Sequence, residues 1–482
     1  MEAFNTALTF LLVIISVAAS YYLRRKRCET KLPPGSFGWP FVGETFAAFA
    51  AGRNGTPNSF IVERMKRYGN RIFKTSLVGD SVAIFCGATG NKFLFSNENK
   101  LVTAWWPRSL QRLFQACILT SVGDEAKRLR RLLMTFLKPE ALQGYVGDID
   151  SVTRLHIQKE WDGKEVVKIY PFVKTYTFEL ACRLFASVED PEHMSKLSHL
   201  FNILLVGAVA IPVEFPGTRY YRATRAADAI REEIRLIIRR RSRVALVDKL
   251  AAGTPTDQDL MSHLLVATDE NGRFMTEDEI ANNILVLLFA GHDTTTCVLT
   301  MLMKYLAEFP DVYDKVLKAL EQRGIAMSKG PGELLNWEDI QKMQYSWNVT
   351  TEVMRLAPPL VGAFREATTD FIYEGFTIPK KWKLYWSASS THMNPDYFLD
   401  PEKFNPTRFE GVGPRPYTFI PFGGGPRMCP GKEFARLEIL VFLHNAVNRF
   451  KWELVFSDEK VKIDPMPVPV KGLPIRLQPH KF

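Results

Sequence analysis

The chain has 482 residues, 46% hydrophobic and 24% charged, an ordinary globular composition with enough apolar material for a large core. Its six cysteines (Cys28, Cys86, Cys117, Cys182, Cys297, Cys429) include no close pair, which argues against a disulfide framework and for a reducing compartment. The formal net charge is +10, yet no basic patch interleaves aromatic residues, which argues against nucleic acid; anionic membrane lipid, an acidic protein partner and an ordinary solvated surface stay open as its counterpart.

Residues 3–23 carry no charge and can span a bilayer as a helix. The basic run Arg24-Arg-Lys-Arg27 follows, so the positive-inside rule puts the bulk of the protein in the cytosol. A cleaved signal peptide would carry its charges before the apolar run, so a retained anchor is the better reading. The stretch 24–40 is basic and then rich in proline and glycine, a stiff hinge. Residues 71–85 predict two strands about a Gly79-Asp80 turn, whereas 93–106 has no clean period and reads as helix and loop. Most of 122–249 has helical spacing, including a basic helix at 231–243, with breaks at Pro212 and Pro216. Thr276-Glu-Asp-Glu279 is a capping box that opens a long apolar helix reaching Phe309, about 48 Å at 1.5 Å per residue. His292, Asp293 and three threonines in its middle mark it as a core helix rather than a second membrane span. A helix over 341–356, strand-like pieces at 371–378 and 383–387, and an apolar helix from Lys432 to His444 complete the pass. No linker or repeat interrupts the body. The expectation is a mainly α protein with a small β region: one large domain, 41–482, behind an N-terminal transmembrane helix.

Three constellations carry chemistry. In Ala290-Gly-His-Asp-Thr-Thr295 a mid-helix glycine costs up to about 1 kcal/mol relative to alanine and permits a close approach to the backbone. Asp293 and Thr294 place an acid and an alcohol side by side, a possible proton relay, although both side chains can simply bond back to the helix. Glu352 and Arg355 lie three apart on one helix face, which by itself suits a surface pair. Phe422-Gly-Gly-Gly-Pro-Arg-Met-Cys-Pro-Gly431 sets Cys429 just ahead of a helix N-terminus, where N–H groups favour a thiolate, the proximal ligand haem needs for O–O cleavage. An isolated cysteine is ordinarily a buried small residue, but that reading leaves Phe422, Gly425, Arg427 and Gly431 unexplained.

The pattern F-x-x-G-x-R-x-C-x-G resembles the haem-binding loop of cytochrome P450 monooxygenases, and the resemblance extends from the anchor to the C-terminus. It implies the cytochrome P450 fold, haem b with Cys429 as axial thiolate, and electrons from NADPH through an NADPH–cytochrome reductase. It makes Ala290 and Gly291 the backbone of the oxygen site and Asp293 and Thr294 the proton-delivering pair. By the same resemblance Arg130, Arg365 and Arg427 would hold the haem propionates, with Phe422 and Gly431 framing the cysteine. Glu352, Arg355 and Arg408 would form a buried structural network. Two departures stand out: Ala126 sits where the family commonly has tryptophan, and Lys381 where glycine usually follows Ile-Pro-Lys.

The stretches 90–101, 421–431 and 472–476 are similar to plant triterpenoid oxidases, the group that includes β-amyrin 28-monooxygenase. That similarity implies a plant endoplasmic reticulum membrane and an apolar terpenoid substrate. A pentacyclic triterpene (β-amyrin, α-amyrin, lupeol) oxidised at the C-28 methyl through alcohol and aldehyde to acid is the leading expectation. Another ring position, a tetracyclic triterpene, a sterol or a taxane-like diterpene are the alternatives. Pocket walls are expected from 105–119, 204–215, 286–290, 358–364 and 468–473, apolar segments with few donors. A haem electron carrier or sensor and a peroxide-rearranging enzyme would need no acid–alcohol pair. A non-catalytic membrane-docked module would tolerate loss of Cys429.

Overall fold

The apolar run after Thr276 folds as one helix, Glu277–Glu308, against which several other helices pack. The computed structural model describes residues 31–53, 56–69, 71–241, 246–247, 259–318, 322–463 and 466–480. The expected anchor at 3–23 and the run Arg24 to Arg27 lie outside these residues. The helices that matter for the site are α1 (Gly87–Ser96), α2 (Arg108–Phe114), α3 (Gly123–Leu137), α4 (Ile169–Ala186), α5 (Arg219–Arg239), α6 (Glu277–Glu308), α7 (Trp337–Lys342), α8 (Gln344–Leu356), α9 (Ala388–His392) and α10 (Lys432–Arg449). Further helices, among them Val146–Trp161 and Pro191–Ala208, lie between them in the chain.

The start of α6 is the capping box that the sequence announces: Thr276 Oγ1 accepts from Glu279 N at 3.2 Å, and Glu279 Oε2 accepts from Thr276 N at 2.8 Å. Three acids in its first turn complement the helix dipole, and Pro310 follows its end at Phe309. Helices α4, α5, α8 and α10 all pack against it. Among the described residues α6 is the one helix long and apolar enough to cross a membrane, but most of that stretch is buried in protein. Its core-facing leucines and isoleucines each contribute about 1.5–3 kcal/mol relative to exposure.

A five-stranded sheet flanks the helices in the order β1 (Ile72–Leu77), β2 (Asp80–Phe85), β8 (Lys383–Ser387), β5 (Gly362–Ala367), β3 (Val102–Ala104); only β2 and β8 run parallel. The hairpin turn is Val78-Gly79, both at positive φ (52° and 85°), with Asp80 already paired to Leu77; the expected Gly79-Asp80 turn is shifted by one residue. The stretch 93–106 contains a strand, β3, and β5 also escaped the sequence reading. Both are short and gain their definition from neighbours: a Cβ on Gly362 would lie 2.2 Å from Trp386 O of β8. The helix expected over 341–356 is two, α7 and α8, because Asn336 and Asp339 cap α7 and Met343 leaves helical geometry (ψ 47°). The basic helix expected at 231–243 begins earlier, at Arg219 behind the cap Thr218. Lys381 adopts φ 69°, a left-handed conformation that glycine takes without steric cost. The described part of the hinge, from Lys31 on, is docked: Lys74 of β1 donates its N–H to Pro34 O (2.7 Å) and its Nζ to Pro33 O (2.8 Å).

Two buried histidines make the fold acid-sensitive. His392 Nε2 accepts from Ile420 N at 2.8 Å, and burial, reinforced by the nearby Arg355 charge, pulls its pKa down to about 3. Burial likewise lowers His444 to about 4, its Nδ1–H donating to Gln322 Oε1 at 2.7 Å. The unfolded chain takes up these protons first, so stability is complete above about 6.5 and is lost as pH falls from there toward 4 and 3. The unfolding free energy from denaturant titrations is expected to drop by up to about 1.4 kcal/mol per pH unit per histidine in that window. His392→Gln, whose amide oxygen can accept from Ile420, should flatten the profile. Equal stability at neutral and mildly acidic pH would contradict this.

Candidate active site

Cys429 sits at the mouth of a glycine loop closed by its own backbone. Gly423 N donates to Ile420 O (3.0 Å), Met428 N to Gly425 O (3.1 Å) and Cys429 N to Phe422 O (2.9 Å). Gly423 and Gly425 both have φ near +67° (69° and 66°). The loop lies against Phe95 at the end of α1: a Cβ on Gly425 would come within 2.5 Å of Phe95 O, and one on Gly424 within 2.4 Å of the ring. The glycines therefore serve a close approach between protein segments. Gly431 caps α10, so Cys429 stands two residues ahead of that helix, as expected.

Cys429 is exposed as a residue, yet protein atoms crowd its thiol. This burial pushes the free thiol up, and the Gly431 N–H and the Arg130 charge pull it back only in part. The Gly431 N–H and the Arg130 charge favour the thiolate, burial works against it, and a bound cation would offset that burial.

Three guanidiniums gather above the loop. Arg130 of α3 donates to Met428 O (2.7 Å) and Arg427 to Leu119 O (2.9 Å). Arg365 of β5 donates Nε to Glu98 Oε2 at 2.6 Å and Nη1 to Phe364 O. Glu98, just after α1, also accepts from Ala104 N at 2.9 Å, which ties it to the register in which Ala104 opposes Arg365. Arg427 feels the Arg365 and Arg130 charges, and burial lowers both Arg427 and Arg130. Neither Arg130 nor Arg427 has a carboxylate partner among the described residues. Two half-buried, unneutralised guanidiniums beside an exposed cysteine fit a metal-bearing group that carries two carboxylates, as haem does. Ala126 is buried on α3.

Helix α6 presents its one accessible stripe at Phe289, Ala290, Gly291 and Thr294, in the middle of an otherwise buried run. Thr294 Oγ1 donates to Ala290 O at 2.7 Å, and Thr295, Thr296 and Thr300 bond back in the same way. What approaches Gly291 is the ring of Phe185, 3.4 Å from a hypothetical Cβ; Phe185 in turn packs on Phe434 of α10. Asp293 and Thr294 are sequence neighbours on different sides of the helix. Asp293 is buried toward α4, with Lys174 Nζ 3.2 Å from Oδ1, yet the angle leaves both carboxylate oxygens without a hydrogen bond. His292 Nε2 is 3.3 Å from Oδ2; burial keeps His292 neutral, and its Nδ1–H goes to Leu288 O, so it offers Asp293 no charge.

Glu352, Arg355 and Arg408 come together as expected. Arg355 grips Glu352 bidentately (2.7 and 2.8 Å), Arg408 Nε lies 3.3 Å from Glu352 Oε1, and Asn405 N donates to the same oxygen at 2.8 Å. Arg355 also reaches His392 O and Pro401 O, tying α8 to α9 and the segment before the cysteine loop.

Glu98, Lys174 and Glu438 were missed. Glu438 of α10 is wholly buried beside Thr295, and burial raises its pKa far above the carboxylate range. A lone acid in Leu437-Glu438-Ile439-Leu440 was its only signal. Two clefts lie elsewhere, a polar one of about 290 Å³ at Arg71, Tyr373 and Tyr397 and a mixed one of about 380 Å³ at His156, Lys164 and Phe172; neither includes a residue of the cysteine loop.

A glycine loop that presents a single thiol ahead of a helix, two arginines without a carboxylate partner beside it, and an accessible stripe on the long core helix are the parts of a haem-thiolate enzyme. The profile of the family described as Cytochrome P450 matches residues 33–479, and the chain belongs to the cytochrome P450 family. It is 54% identical over 486 residues to a beta-amyrin 28-monooxygenase of Vitis vinifera, covering 100% of both chains. It is 55% identical over 451 residues to beta-amyrin 28-monooxygenase CYP716A378 of Saponaria officinalis (93% of this chain, 92% of the relative). A third relative, beta-amyrin 28-monooxygenase of Medicago truncatula, is 54% identical over 475 residues and 98% of each chain. Among solved structures, retinoic acid bound cyanobacterial CYP120A1 matches with a TM-score of 0.82 and 32% identity, over 94% of this chain and 100% of that one. Haem held by a thiolate, and electrons supplied by a reductase, follow from membership of the family.

Proposed function

We propose that this chain oxidises the C-28 methyl of a pentacyclic triterpene, β-amyrin, α-amyrin or lupeol, through alcohol and aldehyde to carboxylic acid. The observation that carries the reading is identity above 50% over the whole chain to several proteins named beta-amyrin 28-monooxygenase. The site is consistent with it: Phe289, Ala290 and Leu360 present apolar surface and no donor, so a nearly hydrocarbon ligand is held by area, at about 25 cal/mol per Å². Each oxidation adds one polar group to a large apolar scaffold, so the product stays bound long enough to react again.

The haem supplies oxygen activation when bound. Cys429 anchors it, Phe422 and Gly431 frame that thiolate, and Arg130, Arg427 and Arg365 answer its propionates. The Thr294 hydroxyl, on the accessible stripe with Ala290 and Gly291, would deliver protons at the reacting site, and Asp293, on another side of the helix toward Lys174, would be the acid that replenishes them. Thr294→Ala is therefore expected to keep haem and substrate binding while product per NADPH falls several-fold and peroxide rises. Unchanged coupling would reduce Thr294 to a helix residue. In this reading a 3–23 helix anchors the chain in the endoplasmic reticulum membrane, with the 24–40 hinge leading to a cytosolic body at 41–482 and membrane lipid as a partner. The exposed rings of Trp39, Phe46 and Phe49, next to the hinge, support a lipid-facing side there.

Expression in yeast with a plant reductase and separate triterpene synthases, followed by mass spectrometry, tests the substrate. Oxidation of a diterpene or sterol but no triterpene would overturn the substrate assignment.

A further inference from the structure

The basic stretch of α5 does something its charge does not announce. Arg235 and Arg239 face the first turn of α6, at Asp278 (2.8 Å) and Glu277 (3.2 Å), but Arg231 turns inward and is 1% exposed. Its Nε donates to Asn282 Oδ1 of α6 (2.8 Å), its Nη1 to Asp228 (3.0 Å) and its Nη2 to Leu113 O at the end of α2. The next residue of α6, Asn283, 0% exposed, accepts from Ile118 N at 2.9 Å and donates Nδ2 to Glu279 O at 2.7 Å.

Both backbone groups lie in 113–119, which leaves helix at Phe114 and passes through Gln115 at φ 51°. This segment joins the two halves of the site. Phe114 packs on Phe289 of the accessible stripe (4.9 Å between rings), and Leu119 O is held by Arg427. An irregular buried segment has to find side-chain partners for its N–H and C=O groups. Here two come from one rigid wall, α5 with α6, and so fix where the segment sits against α6.

We infer that Arg231 and Asn283 are positioning residues: through Leu113 O and Ile118 N–H they set the place of segment 113–119 against the Phe289–Thr294 stripe, and with it which carbon of the substrate is attacked. A shift of an ångström in one wall of an apolar pocket changes the balance of poses, and each tenfold in product ratio is only 1.36 kcal/mol. The inference rests on the proposed triterpene oxidation for its readout.

The test uses the full chain in yeast microsomes with a plant reductase and β-amyrin, comparing wild type, Asn283→Leu, Asn283→Asp and Arg231→Lys. Asn283→Leu has no acceptor for Ile118 N–H. A protonated aspartic acid at that site can still accept from Ile118 and donate to Glu279 O. Arg231→Lys keeps the charge but cannot hold Asn282 and Leu113 together. With haem signal retained, Asn283→Leu and Arg231→Lys are expected to lower the ratio of C-28 product to other regioisomers about tenfold, with Asn283→Asp restoring it. An unchanged ratio in haem-loaded Asn283→Leu overturns the inference. If Asn283→Leu carries no haem, the ratio in Arg231→Lys decides in the same way. Wild type that leaves β-amyrin untouched would instead sink the substrate reading, and the same ratio would be read on whichever terpenoid it does oxidise.

Discussion

Cys429→Ser is expected to yield a folded chain whose reduced, carbon monoxide-treated form lacks the thiolate-type absorbance and whose turnover falls by orders of magnitude, to the limit of detection. The loop's shape does not depend on sulfur, since Cys429 N–Phe422 O and Met428 N–Gly425 O are backbone bonds that serine keeps. The loss is therefore chemical: a serine hydroxyl is far harder to ionise than a thiol, and it is the thiolate that pushes electron density toward O–O cleavage. No other described cysteine can take over. Cys86, Cys117, Cys182 and Cys297 are buried, and burial raises all four thiols, Cys86 to about 12. Wild-type turnover in the serine variant would overturn the assignment of Cys429 as ligand.

Glu352→Ala is expected to be the most damaging change away from the haem ligand. Glu352 and Arg355 are both 0% exposed, and the carboxylate answers Arg355, Arg408 and the N–H of Asn405 together. Removing it strands a buried guanidinium, which typically costs about 3–5 kcal/mol, a large share of the roughly 5–15 kcal/mol that holds a domain together. Because Arg355 also ties down His392 O and Pro401 O, the strain falls on the segment leading to the cysteine loop. Haem content and melting temperature should both drop sharply. Glu352→Gln, which keeps an acceptor but not the charge, should be intermediate. Arg408→Ala should cost least of the three, since Arg408 is partly accessible and its bond to Glu352 is the longest. A Glu352→Ala protein with normal haem content and melting temperature would show that the triad is dispensable.

The sequence by itself determined what is local. The capping box at Thr276 and Glu279 opens α6 because its two hydrogen bonds span three residues. The glycine loop, Cys429 and the helix behind it are contiguous, so their spacing already says how the thiol is presented. The Glu352–Arg355 pair lies one turn apart on α8, and resemblance supplied Arg408. Tertiary structure decided what depends on partners far along the chain. It showed that burial works against the thiolate at Cys429, that Arg365 is matched by Glu98 while Arg130 and Arg427 are not, and that Asp293 faces Lys174. It turned Arg231 of a basic helix inward, made β3 out of three residues, too few to carry a period, and made β5 out of Gly362–Ala367, whose adjacent Arg365 and Glu366 break any alternation. The physical reason is common to these cases. Burial and charge pairing are set by what packs against a side chain, and those contacts join residues far apart in the chain, 267 positions in Arg365 and Glu98 and 308 in Arg427 and Leu119; periodicity and caps report only the few residues on either side.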